Sequence, residues 1–238
     1  MKGKKILEVC CGNLASVRAA VAGGAARVEL CRDLEADGVT PSAPTIGEAV
    51  GLCRPAGVGV HVLIRSRAGD FVYSEAEVAE MAAEIRLALD AGADGVVVGA
   101  LTPAGDVDGR ACRRWLDACR DGAGRLRCNV TFHRAFDVCR DPLAAMEQIH
   151  ELGCNRILTS GQQATAEEGV ALLRQLVAKA RELTERSGRR LTILCGAGVS
   201  PDNALRLLNA TGATEIHGSL RTGQVSDVEK IRKITSLL

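Results

Sequence analysis

Two glutamates and two cysteines stand in near-identical surroundings. The strings Ile-Leu-Glu8-Val-Cys10 and Arg-Val-Glu29-Leu-Cys31 lie 21 residues apart, and in each the carboxylate and thiol are two positions apart. In an extended strand that spacing puts both groups on one face. Two thiols on neighbouring strands about 4.8 Å apart suit a soft monovalent metal such as Cu(I). The alternative is a pair of packed core thiols, because strand stagger in a barrel offsets matching strings in height. A glutamate inside a buried strand is costly without a partner, and two of them repel each other. Arg65, Arg134 and His133 are the partners the sequence offers. Glu8 or Glu29 as base, His133 as acid partner and Arg65 as anion clamp, with Asp137 just beyond, would make an acid–base site.

Further polar residues fall where apolar runs end. The segment 64–74 carries Arg67 and Asp70 after Arg65, either as binding groups on a long loop or as a solvated charge run. Thr131-Phe-His133-Arg134 and Thr159-Ser160-Gly161-Gln162 end two other runs. Cys195-Gly196-Ala-Gly198 opens a helix and Gly218-Ser219 ends the last run, an arrangement that offers backbone N–H groups to a phosphate or serves only as tight turns. His61 and His217 are read as either packed or functional, and His150 as a surface helix residue. For the glutamates the competing readings are a structural ion-pair network inside the sheet and outward contact with helix arginines. Some chemistry is disfavoured outright. No lysine ends a strand run, which argues against a Schiff-base mechanism, and there is no G-x-S-x-G elbow and no C-x-x-C pair among the ten cysteines.

The elements that must position these groups alternate. Short β-branched runs at 5–10, 27–31, 58–64, 95–100, 128–134, 156–160, 191–195 and 215–220 are separated by helical stretches near 14–22, 41–53, 74–91, 109–120, 141–152, 165–186 and 201–209. Eight such units recurring about every 30 residues predict a (βα)8 TIM barrel of the α/β class. A doubly wound sheet is the rival, but no run is followed by G-x-G-x-x-G. A single domain over 1–238 is expected, with the barrel in 1–221 and 222–238 as a short closing helix. The 238 residues are 47% hydrophobic, enough for a sizeable core. With 30 Lys+Arg against 29 Asp+Glu, the balance argues against nucleic-acid or membrane-surface binding, and five aromatics argue against base-stacking platforms. No apolar run is long enough to span a bilayer. The basic stretch 1–5 leads into no apolar leader segment, because Glu8 interrupts the next apolar run.

Leu7-Glu-Val-Cys10, Arg27-Val-Glu-Leu-Cys31, the 65–74 loop, Thr131-Phe-His-Arg-Ala-Phe-Asp137 and Ile157-Leu-Thr-Ser-Gly161 together resemble the CutC family over about residues 6–221. The resemblance implies a cytoplasmic copper homeostasis protein on a (βα)8 barrel, a homo-oligomer (dimer or tetramer) that binds Cu(I) and needs no organic cofactor. Cys10 and Cys31 are the cysteines such a role would use. Two features depart from the family pattern: Ser66 and Ala68 stand where its loop has proline and glycine, and Ala36 replaces a glycine after the second strand. Beside copper handling stand two other expectations, an enzyme acting on a small anionic substrate at the strand ends and a scaffold whose barrel site has decayed. The charged strand ends count against the scaffold.

Overall fold

A computed structural model describes residues 4–238; residues 1–3, the start of the basic stretch and of the expected 1–221 barrel, lie outside them. Eight parallel strands close in chain order into a barrel: β1 (Ile6–Cys11), β2 (Arg27–Leu30), β3 (Gly59–Leu63), β4 (Gly95–Val98), β5 (Asn129–Phe132), β6 (Arg156–Thr159), β7 (Thr192–Cys195) and β8 (Glu215–Gly218). Between them run α1 (Leu14–Ala22), α2 (Ala43–Cys53), α3 (Glu75–Asp90), α4 (Gly109–Ala118), α5 (Pro142–Leu152), α6 (Val170–Ser187) and α7 (Ala204–Thr211). The helix starts follow local chemistry. Ser74 and Glu77 form a reciprocal capping box on α3, and Asp141 caps α5 with Pro142 in its first turn.

Alternation along each strand separates two environments. Leu7, Val9, Val28, Leu30, Val60, Val62, Val96, Val98, Ile193 and Ile216 belong to the apolar layer between sheet and helices. The intervening positions point into the barrel, and there the residues are Glu8, Cys10, Arg27, Glu29, His61, Leu63, Arg156, Glu215 and His217, all buried. β4 makes room for the larger groups. A Cβ at Gly95 would lie 2.6 Å from the His61 ring, and one at Gly99 would lie 2.5 Å from that of His133. Glycine at both positions lets an imidazole fill the space where a side chain would otherwise sit.

The structure differs from the sequence reading in several places. The stretch 222–238 is not one helix: β9 (Arg221–Thr222) and β10 (Val225–Ser226) form a hairpin before α8 (Val228–Thr235). α6 begins five residues later than the expected 165, because Thr165–Gly169 instead turn against the loop after β7 through Ala166 N–H to the Ala197 carbonyl. His150 is not on the surface. It is 4% exposed, and its Nε2 lies 2.9 Å from Ser187 Oγ, since α5 packs that face against α6. No helix among the described residues is long and apolar enough to cross a membrane.

Candidate functional site

The barrel interior is built in two tiers. In the lower tier Glu8 accepts from Arg27 Nε and lies 2.8 Å from His217 Nδ1. Arg27 Nη2 also reaches Glu215 at 2.7 Å, and Arg156 Nε donates to the same carboxylate at 2.7 Å. The staggered register aligns Glu8 with Arg27 on one side and with His217 on the other. The partners of the buried glutamates are therefore Arg27, Arg156, His217 and, from the surface, Arg190, whose Nη2 donates to Glu215 at 3.1 Å, not Arg65, Arg134 and His133. Arg27 was in view in the motif around Glu29, but only the cross-strand register shows which carboxylate it meets. Burial by itself would raise the Glu8 carboxyl; Arg27 and the His217 hydrogen bond outweigh it and hold it well below the ordinary carboxylate value. The Glu215 carboxyl is likewise held low against its burial by Arg156 and Arg27. His61, whose Nδ1 lies 3.8 Å from Glu8, is pushed down to about 3 chiefly by burial and stays neutral.

The upper tier opens at the C-terminal ends of the strands as a cleft of about 380 Å³. Cys10, Glu29 and His217 form its floor; Arg65, Phe71 and His133 stand on one wall, with Arg134 and Asp137 beside them. Cys10 Sγ and Cys31 Sγ are 3.9 Å apart, both buried and both free thiols, too far apart for a disulfide at about 2.05 Å. His217 Nε2 lies 3.7 Å from Glu29 Oε2, and ligand atoms of Cys10, Glu29 and His217 all fall within 4.8 Å of one another. Burial, with only partial relief from His217 and added repulsion from Glu8, raises the Glu29 carboxyl above its ordinary value. His217 goes up despite its burial, because Glu29 and Glu8 favour its charged form. Among the described residues, all five non-glycine positions in the left-handed region, Asp33, Asp37, Gln162, Ala197 and Leu220, lie in loops leaving the strands at this end. Strain of that kind concentrates at working faces.

The sequence-selected residues divide among these surroundings. Glu29, Cys10, Arg65, His133, Arg134 and Asp137 meet at the cleft, with Cys31 behind Cys10. Glu8 lies beneath them in the ion network. Asp137 accepts from Thr159 Oγ1, from the Ser160 and Gln162 backbone N–H groups and from Arg134, and so ties the loop after β6 to the turn after β5. Ser160 points away to the Gln163 carbonyl at 2.6 Å. Arg67 bonds Asp70, Glu77 and the Val72 carbonyl, and so holds the loop after β3 together outside the cleft. Gly196, Gly198 and Ser219 also lie outside the cleft lining. Gly196 N–H continues the ladder to the Thr159 carbonyl, and the Gly198 carbonyl accepts from Asn203. His217 and Phe71 are cleft residues that the sequence reading did not select. The alternation Glu215, His217, Ser219 was the available signal for the first; for the aromatic there was only its place in a charged loop.

A closed (βα)8 barrel with a polar cleft at its strand ends defines a protein of the TIM-barrel class. Residues 5–222 match the model of the CutC family. A Pasteurella multocida family protein CutC is 45% identical over 93% of this chain and 84% of its own length. The Bacteroides thetaiotaomicron relative of that name is 46% identical, with 93% and 83% covered. The chain belongs to the CutC family. Among solved structures, a Streptococcus agalactiae protein described as a candidate copper homeostasis protein CutC superposes with a TM-score of 0.80 at 32% identity, covering 90% of this chain and 98% of that one. Thiamine phosphate pyrophosphorylase from Pyrococcus furiosus, at 17% identity and a TM-score of 0.62 over 99% and 96% of the two chains, shares the fold alone.

Proposed function

We propose that this chain binds Cu(I) between Cys10 and Cys31 and serves copper homeostasis in the cytoplasm. The observation that supports this reading is the 3.9 Å approach of the Cys10 thiol at the cleft floor to that of Cys31 behind it. Thiolate–metal bonds of about 2.3 Å, the zinc value, join one ion to sulfurs up to about 4.6 Å apart, so one ion fits between them without rebuilding the strands. Soft sulfur ligands in a buried setting favour Cu(I) over harder divalent ions. The Cys31 hydrogen bond and burial push the Cys10 thiol well above its ordinary value, so the metal must displace its proton. An anaerobic Cu(I) competition titration against a chromogenic chelator tests the reading. Wild type binds about one ion per chain, and the Cys10→Ser/Cys31→Ser protein loses that binding. Equal affinity in the two proteins would end the copper reading.

A second reading is favoured by the Glu29–His217 pair, which two thiols do not require. A carboxyl raised by burial beside an imidazole 3.7 Å away is an acid–base pair facing a cleft of small-molecule size. In this reading the chain is an enzyme acting on a small anionic substrate, with Glu29 moving the proton and His217 stabilising its charged form. Once a substrate is found, unchanged turnover in Glu29→Gln would exclude it.

A further inference from the structure

Three arginines of the described residues are buried. Arg27 and Arg156 each meet a carboxylate. Arg65, only 3% exposed, meets none. Its Nη1 donates to the carbonyls of Asp37 and Gly38 at 3.1 and 3.2 Å and its Nη2 to that of Gly69 at 2.8 Å; its Nε–H makes no hydrogen bond of ordinary geometry, although the buried Tyr73 hydroxyl stands close to the guanidinium. Three neutral carbonyls hold the guanidinium in place and leave its charge uncompensated, an expensive state for a buried ion. His133, on the same wall, is 5% exposed. Its Nδ1 accepts from Ala135 N–H at 3.1 Å, which fixes the tautomer with the proton on Nε2. That Nε2–H also has no partner. Burial and the Arg65 charge hold the ring neutral, with its pKa down at about 3.

Phe71 joins the two groups. Its ring centroid is 5.0 Å from Arg65 Cζ and 5.0 Å from the His133 ring. The carboxylates around the cleft are engaged elsewhere or in water: Glu29 faces His217, Asp137 is held by Arg134 and backbone N–H groups, and Asp37 is exposed. One wall of the cleft thus holds a fixed positive charge, unused N–H donors and an apolar ring, about 380 Å³ of space before them.

We propose that the carboxylate or phosphate group of a small metabolite binds in this cleft on Arg65 and His133, against the face of Phe71. The site lies at the β3 and β5 strand ends, across the barrel from the loops after β7 and β8. It deepens the acid–base reading by naming the group that anchors the substrate, and it places the rest of the molecule over Glu29.

Isothermal titration of the whole apoprotein with inorganic phosphate and, separately, with lactate tests the proposal. At least one of the two binds wild type in the millimolar range or tighter, and which one binds assigns the anion class. His133→Asn keeps an acceptor for Ala135 N–H but removes the Nε2–H and the ring beside Phe71, and its shorter amide reaches no farther than the Cδ2 position of the imidazole; it weakens binding about tenfold, the scale of one charge-assisted hydrogen bond. Arg65→Gln weakens it further. Should that variant fold poorly, Gly99→Ala serves instead, since its Cβ displaces the His133 ring, and it also weakens binding. Failure of both anions to bind wild type at 50 mM, or unchanged affinity in His133→Asn, overturns the proposal. Glu29→Gln separates it from the acid–base reading. Anion binding kept in Glu29→Gln with turnover also kept leaves this site standing and removes Glu29 as the proton carrier. Turnover lost in Glu29→Gln while His133→Asn binds normally does the reverse.

Discussion

The lower and upper tiers of the barrel interior use the same residue types and spend them differently. Below, Glu8, Arg27, Glu215 and Arg156 neutralise one another within hydrogen-bonding distance. Above, Arg65 has no carboxylate, His133 keeps a free N–H, and Glu29 sits 3.7 Å from its nearest counter-charge. A buried network in which each arginine meets a carboxylate ties β1, β2, β6 and β8 together, with only Arg156 Nη1 and the neutral His61 Nδ1 left without a hydrogen-bond partner. A buried set that does not close leaves interaction capacity for something that arrives from outside. On the proposed reading the lower tier serves the fold and the upper tier the function, a division that can be broken experimentally.

The largest effect is expected below. Glu215→Gln leaves Arg156 and Arg27 short of their shared counter-ion and costs about 3–5 kcal/mol of unfolding free energy, as removal of one member of a buried ion pair does. Urea unfolding measures it, and a loss under 1 kcal/mol would mean that water already compensates the arginines. Upper-tier Glu29→Gln should change stability at pH 7 by no more than about 1 kcal/mol, with either sign, because the carboxyl has no close ion pair to lose, its nearest counter-charge being His217 at 3.7 Å. If Glu29→Gln proves as damaging as Glu215→Gln, the two tiers are one structural unit and the division fails.

Acid should separate the tiers by sign. Glu8 and Glu215 have folded values below their unfolded value of 4.5, so their stabilisation is present above pH 4.5 and is lost as pH falls through the folded values. Glu29 runs the other way. Its folded value lies above 4.5, so its contribution is complete below pH 4.5 and is lost as pH rises through that folded value. Glu215→Gln should therefore flatten the acid limb of the stability profile, and Glu29→Gln should flatten the limb above it. The two histidines held near 3 supply a spectroscopic check: the ring protons of His61 and His133 should show no titration between pH 5 and 8. A midpoint near 6.5 for His133 would mean that its surroundings are wet and its donor already satisfied by water. The smallest effect belongs to the rim. Breaking the exposed Arg140–Asp106 pair should cost about 0.5 kcal/mol or less, detectable only at low salt.

Much of this protein was legible in its sequence, for reasons that particular residues show. The period-two runs around Glu8, Glu29 and His61 and the caps at Ser74 and Asp141 are local features, and local features determined the strands, the helices and the closed parallel barrel they must form. The shared face of Glu8 with Cys10 and of Glu29 with Cys31 came from strand geometry alone. The hairpin at Arg221–Ser226 and the buried His150 did not, because each depends on the elements that pack against it.

Pairing lies in the second class. Arg27 and Glu8 are 19 positions apart and Glu8 and His217 are 209, and only the barrel's stagger brings the three together. Composition supplied the charges, but register decided which would cancel. Arg65, expected to partner a glutamate, is held instead by three backbone carbonyls and left charged at the mouth. The sequence alone determined which residues face inward, since side-chain direction repeats every two residues. Which of them remain free to bind was decided by the tertiary structure, because the reach of one side chain to another depends on strand offset, and offset is set only when the barrel closes.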